Sequence, residues 1–161
     1  YTSSDLVGVE LGGALKNIIT IGAGFIDGHE LGNNSKAAFV TRGLAEITRL
    51  GVAMGARAET FAGLSGMGDL VTSCYSGLSR NRYVGQELAK GRAAADIVAG
   101  MDQVAEGVAT TRHAVALAES LGVDMPIASI TKAVLAGELD QQAAVEGLMT
   151  RAPVAEAPPQ I

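Results

Sequence analysis

The stretch from residue 5 to about residue 26 constrains the fold most. It is rich in Leu, Val, Ile, Ala and Gly, and Gly28 lies just past its end. A helix that is apolar on every side must be covered on every side. Glycines at 12, 13, 22 and 24 each lower helix propensity by about 1 kcal/mol relative to Ala. Such a cost is tolerable where a second backbone packs closely, so the pattern predicts a central, buried helix. Asp5 or Ser4 can cap its start. In its middle stands Lys16-Asn17, flanked by small or apolar residues.

Most of the remaining chain also reads as helix. From 35 to 54, Ala37, Val40, Leu44, Ile47, Gly51 and Met54 recur at three- and four-residue steps. Asn33, Asn34 and Ser35 are cap candidates there, and Glu46 can pair with Arg42 or Arg49 at helical spacing. The glycine-rich segment 63–78 reads as a short helix and loop. Helix resumes over 79–90, over 106–121 with Val108, Thr111, Val115 and Ala118 inward, and from Pro126 to Gly137. Asp140 can cap a last helix carrying Val145, Leu148 and Met149. Residues 152–161 hold three of the four prolines and read as a loose tail. Nowhere do strands alternate with helices, so the expected class is all-α, a multi-helix bundle, with no parallel nucleotide-binding sheet. Gly22-Ala23-Gly24 lacks the third glycine and the preceding strand of a dinucleotide fingerprint.

The chain has 161 residues, 48% of them hydrophobic, enough for one domain with its own core. No run reads as long enough and free enough of charge to span a bilayer. The one cysteine, Cys74, excludes an intramolecular disulfide, reads as a small buried hydrophobe, and fits a reducing, cytoplasmic compartment. His29 and His113 are isolated, so no metal site is expected. A net charge of −5 argues against a nucleic-acid surface. Yet Arg80, Arg82, Lys90 and Arg92 fall within thirteen residues containing one acid, Glu87. A local basic stretch in an acidic chain suits a small anionic ligand.

Three segments carry candidate chemistry, each with a plainer reading beside it. Lys16 is either snorkelling from a helix edge or held in a pocket; a pocket would desolvate the ammonium and fit it for proton transfer. Gly66-Met67-Gly68-Asp69 lets a backbone approach closely beside a carboxylate, or is a turn with a capping aspartate. Ser79-Arg80-Asn81-Arg82 can surround a phosphate at a helix start, or is a solvated basic face.

The order of these pieces narrows the choice. Gly12-Gly13-Ala14-Leu15-Lys16-Asn17, Asn33-Asn34-Ser35-Lys36, Gly66-Met67-Gly68-Asp69-Leu70, Ser79-Arg80-Asn81-Arg82 and Val104-Ala105-Glu106-Gly107 together resemble the C-terminal domain of bacterial-type NAD(P)-dependent glycerol-3-phosphate dehydrogenase. The resemblance covers roughly residues 2–150. It implies a fold like the C-terminal domain of 6-phosphogluconate dehydrogenase. It also implies interconversion of dihydroxyacetone phosphate and sn-glycerol 3-phosphate by hydride transfer with NAD or NADP, supplying glycerol 3-phosphate for phospholipid synthesis. In that family's pattern Lys16 matches the catalytic proton donor and acceptor. Asn17, Asp69, Ser79, Arg80 and Asn81 match substrate-binding positions. Arg80, Val104 and Glu106 match positions touching the nucleotide. Ser73 lies where eukaryotic relatives carry a threonine near the substrate.

The family also has an N-terminal Rossmann domain that this sequence lacks. The chain opens on Tyr1 rather than Met, so it is expected to be either a fragment of a longer protein or one of two chains: a helical substrate-binding domain over 1–151 and a Pro/Ala-rich tail over 152–161. The expected partner is a phosphorylated small molecule; a homodimer is compatible with the chain. Two other readings stay open on the residues: a non-catalytic helical interaction module, and a domain of a related 2-hydroxyacid dehydrogenase.

Overall fold

In the computed structural model of the chain, which describes residues 1–149, every regular element is helical. In chain order these are α1 (Leu6–Gly28), α2 (Gly32–Ala53), α3 (Ala58–Ala62), a π-helical turn (Leu64–Gly68), α4 (Asp69–Tyr75), α5 (Arg80–Ala89), α6 (Ala94–Ala99), α7 (Glu106–Ser120), α8 (Pro126–Ala136) and α9 (Gln141–Met149). Among the described residues there is no strand, as the all-α expectation required. The proline-rich tail lies outside the described residues.

Helix α1 is the axis. From Asn17 to Ile26 every residue is buried, so neighbours enclose it all round. By length and mean hydropathy, 1.3 over its most apolar window, α1 does reach what a bilayer crossing needs. This corrects the expectation that no run would. Its apolar faces are spent on protein: it packs against α2, α4, α5, α7 and α8.

The glycines explain how so many elements fit. A Cβ on Gly24 would stand 2.0 Å from the Arg82 carbonyl oxygen, and one on Gly85 would stand 1.9 Å from the Ile21 carbonyl oxygen. Helices α1 and α5 therefore touch backbone to backbone at these positions, with no room for a side chain between them. One apolar cluster, with Ile18, Ile19, Ile47, Leu50, Phe61, Leu70 and Ile127, lies on the α2–α4 and α8 side of α1. A second, with Ile21, Phe25, Val84, Leu88 and Ile97, lies on the α5–α6 side. Helix α1 contributes to both.

Asp5 caps α1 as expected, accepting from the Gly8 amide at 3.0 Å. It also accepts from the Arg57 amide at 2.9 Å and the Thr60 hydroxyl at 2.5 Å. One carboxylate thus ties the start of α1 to the start of α3. The Thr60 hydroxyl first, then the Arg57 and Gly8 amides, hold its pKa below the ordinary carboxylate range.

Helix α2 differs from the expected register. It begins at Gly32 behind Leu31, and Asn33, Asn34 and Ser35 lie inside it rather than capping it. Its buried face runs through Lys36, Phe39, Val40, Gly43, Glu46, Ile47, Leu50 and Gly51; Ala37 is exposed. Apolar spacing missed Lys36 and Glu46 because both are charged. The Glu46 carboxylate accepts from the Ile127 amide at 2.7 Å and the Ala128 amide at 3.3 Å, so it caps α8 from another helix. Arg42 and Arg49 donate to the carbonyls of Leu148 and Asp124. Pro126 opens α8 and Gly137, at φ 71°, closes it. Asp140 caps α9 through the Ala143 amide at 2.8 Å. The short helices α3 and α6 carry too few turns to show a period and were not expected.

Three outcomes are expected for stability. Gly85→Ala should cost about 3 kcal/mol, because the added methyl meets backbone that cannot swing away. Gly13→Ala, whose Cβ would meet nothing within 4 Å, should be neutral or stabilising by up to about 1 kcal/mol. Urea unfolding of the two variants checks the contrast. Asp5 adds stability at pH values above its unfolded pKa of about 4, and loses it as pH falls through its lower folded value. Asp5→Asn should therefore flatten part of the acid limb of a plot of unfolding midpoint against pH.

Candidate active site

A polar cleft of about 360 Å³ opens where α1, α4, the α4–α5 loop and the starts of α5 and α7 meet. Lys16 forms its floor. The residue sits on α1 just before the fully buried run, so its stem is covered while its ammonium reaches the cleft. It pairs with the Asp69 carboxylate and donates to the Ser73 hydroxyl at 3.0 Å. Asp69 and Ser73 stand one helical turn apart on α4 and so share a face; the Ser73 hydroxyl also donates to Asp69 at 3.5 Å. The π-helical turn Leu64–Gly68 leads directly into Asp69. Such turns interrupt the α-helical register and often occur at functional sites.

The opposite wall begins with Ser79, which caps α5 by accepting from the Arg82 amide at 3.3 Å. Its hydroxyl keeps a proton to donate. Arg80 reaches the mouth, 3.6 Å from the Glu106 carboxylate, with both side chains substantially exposed. An exposed pair of this kind is worth little, about 1 kcal/mol or less, so an anionic ligand can exchange with Glu106 cheaply.

Asn81 is buried behind the wall. Its amide donates to the Asn17 side-chain oxygen at 3.0 Å, and its own oxygen accepts from the Gly107 amide at 2.9 Å. Asn17 and Asn81 both line the cleft, yet they also brace one another and the start of α7. Lys16, Asn17, Asp69, Ser79, Arg80, Asn81 and Glu106 are thus brought together. Val104 is exposed and does not line the cleft.

The basic stretch is divided differently from its sequence. Only Arg80 of the four cations faces the cleft. Arg82 turns back to Asp27 at 2.6 Å. Lys90 and Arg92 both hold Glu87, at 2.6 and 2.8 Å. The Lys90 bond first, then that of Arg92, lowers the Glu87 pKa, and Glu87 in turn raises that of Arg92. The local excess of positive charge is therefore mostly structural. Cys74 is fully buried behind Ser73; burial pushes its thiol up to about 11, although the Thr20 hydroxyl opposes this. His29 packs edge-on against Phe25 at 4.5 Å. No group of His, Cys, Asp or Glu able to hold a metal occurs among the described residues.

Ser73 is expected only from the place of a threonine in eukaryotic relatives; its four-residue spacing from Asp69 is the local signal for it. Asp27 is not among the expected residues. An acid in the last turn of an apolar helix, with no cation in the same turn, was the clue.

The glycerol-3-phosphate dehydrogenase of Coxiella burnetii superposes with a TM-score of 0.90 at 40% identity, over 94% of this chain and 46% of that one. The enzyme of Dunaliella salina gives a TM-score of 0.78 at 28% identity, over 90% of this chain and 29% of that one. The chain belongs to the family of NAD-dependent glycerol-3-phosphate dehydrogenase C-terminal domains, whose model matches residues 5–146. Relatives include the glycerol-3-phosphate dehydrogenase [NAD(P)+] of Koribacter versatilis, 60% identical over 94% of this chain and 45% of that protein. That of Polaromonas naphthalenivorans is 57% identical over 97% of this chain and 44% of that protein. The chain thus spans under half the length of these relatives.

Proposed function

We propose that the chain is the substrate-binding part of an enzyme interconverting sn-glycerol 3-phosphate and dihydroxyacetone phosphate, with NAD or NADP as hydride carrier. The observation that carries this reading is the juxtaposition of Lys16, Asp69 and Ser73 on the floor of a cleft walled by Ser79 and Arg80. Ketone reduction needs a proton at oxygen while hydride reaches carbon, and an ammonium beside that oxygen stabilises the developing alkoxide. Lys16 is the proton donor in reduction and the acceptor in oxidation. Asp69 and Ser73 hold its Nζ in place. Asn17 orients the substrate hydroxyls.

Ser79 and Arg80 take the substrate phosphate, with the start of α5 behind them. Arg80 releases Glu106 to do so. Asn81 contributes through its remaining amide hydrogen. A phosphate handle lets binding energy remote from the reacting carbon align it.

The rim fits the edge of a dinucleotide rather than its enclosure. The Arg80 guanidinium can donate to phosphate oxygens, the Glu106 carboxylate can accept from ribose hydroxyls, and Val104 offers an exposed apolar contact. When bound, the nicotinamide supplies or takes the hydride. A separate Rossmann domain is needed to hold the rest. The product serves phospholipid synthesis in the cytoplasm, a setting consistent with the buried, lone Cys74.

In the full-length enzyme, Lys16→Ala should lower kcat by at least about 10²-fold with a smaller change in cofactor affinity. Near-normal turnover would remove Lys16 from the chemistry. Arg80→Lys should raise KM for dihydroxyacetone phosphate, because a point charge does not replace a guanidinium fork. Steady-state kinetics with an unchanged KM and kcat/KM would move the phosphate elsewhere.

A further inference from the structure

The segment that presents Ser79 and Arg80 has no apolar anchor of its own. Its one large apolar residue, Leu78, is 94% exposed. Polar bonds hold it instead. The Ser76 carbonyl accepts from the Ser79 amide at 3.3 Å and from Arg82 Nη1 at 3.4 Å. The Ser76 hydroxyl accepts from the Leu78 amide at 3.1 Å.

Arg82 is the link from this loop to the core. While Nη1 holds Ser76, Nε donates to Asp27 Oδ2 at 2.6 Å. The same oxygen accepts from Lys36 Nζ at 2.7 Å. Lys36 is buried on α2, and its ammonium lies 4.3 Å from the centre of the Tyr75 ring. Tyr75 ends α4, immediately before Ser76. The carboxylate of α1 therefore joins two cations that bear on the two sides of one turn.

We propose that Asp27, Arg82 and Lys36 form a positioning clamp for the phosphate grip. Asp27 fixes the guanidinium; the guanidinium fixes the Ser76 carbonyl and so the path of the chain into Ser79 and Arg80. The polar bonds of the three run to one another and to Ser76, whereas those of Lys16 run to Asp69 and Ser73. Loss of the clamp should therefore act on the phosphate end of the substrate and spare the carbonyl end. The clamp rests on the reading that Ser79 and Arg80 bind the substrate phosphate.

The geometry distinguishes charge from fork. A lysine at 82 can pair with Asp27 but cannot also hold the Ser76 carbonyl. An asparagine at 27 keeps the shape of the acceptor and loses its charge.

The test uses the full-length enzyme with Arg82→Lys and Asp27→Asn, assayed on dihydroxyacetone phosphate and on unphosphorylated dihydroxyacetone. Each variant is expected to raise KM for the phosphorylated ketone about fivefold or more, with kcat within about twofold of the parent. kcat/KM for dihydroxyacetone should stay unchanged, a pattern that general loosening of the fold would not give. Equal losses on both ketones would overturn the clamp, as would an unchanged KM. If both variants lose the parent's cooperative melting transition, the triad is a determinant of folding and the proposal fails. If the parent enzyme itself does not discriminate between the two ketones, the phosphate reading beneath the clamp fails, which is a separate result.

Discussion

The direct approach of α5 to α1 underlies the rest of the structure. Gly24 and Gly85 remove the side chains that would hold these helices apart, so the Arg82 and Ile21 carbonyls lie against bare Cα positions. Close approach brings the start of α5 over the middle of α1. That is why Asn81 reaches Asn17 and Arg82 reaches Asp27. Were the two helices a normal side chain's width apart, neither short polar link would span the gap. The cleft is thus a product of backbone packing before it is a product of its charged residues.

Charge within the domain is organised by burial depth. Asp27, Glu46 and Glu87 each take bonds from groups distant in sequence or from two cations at once. These acids brace elements. At the cleft the charges are more open to solvent: Arg80 and Glu106 form a long, exposed pair, and Asp69, though it grips Lys16, is more exposed than the lysine it holds. A buried, multiply bonded acid is costly to disturb; a rim pair exchanges partners readily. The molecule therefore keeps its exchangeable charges where a ligand arrives.

Much of this was legible in the sequence, and the limits have physical causes. The central position of α1 followed from glycines set among apolar residues. The start of α8 at Pro126, its end at Gly137 and the Asp5 and Asp140 caps followed from local chemistry that tertiary packing left alone. The register of α2 did not follow, because Lys36 and Glu46 occupy core positions that a hydrophobic period cannot reveal. Charge counting brought out a basic stretch over 80–92, yet three of its four cations are absorbed by Asp27 and Glu87. Which cations remain available depends on contacts between residues far apart in the chain. The site motifs fared better: Lys16, Asp69, Ser79 and Arg80 converge on one cleft, whereas Val104 stands outside it.

Helix α1 belongs to both apolar clusters, and this has a dynamic consequence. Two cores on separate helices could melt one at a time. Two cores that share a central strut cannot, because releasing either face exposes the run from Asn17 to Ile26 on that side. Amide hydrogens in this run should then exchange with solvent only when the whole domain opens. Lys16 stands at the near end of that run, so the proposed proton-transfer group is mounted on the strut that both clusters share.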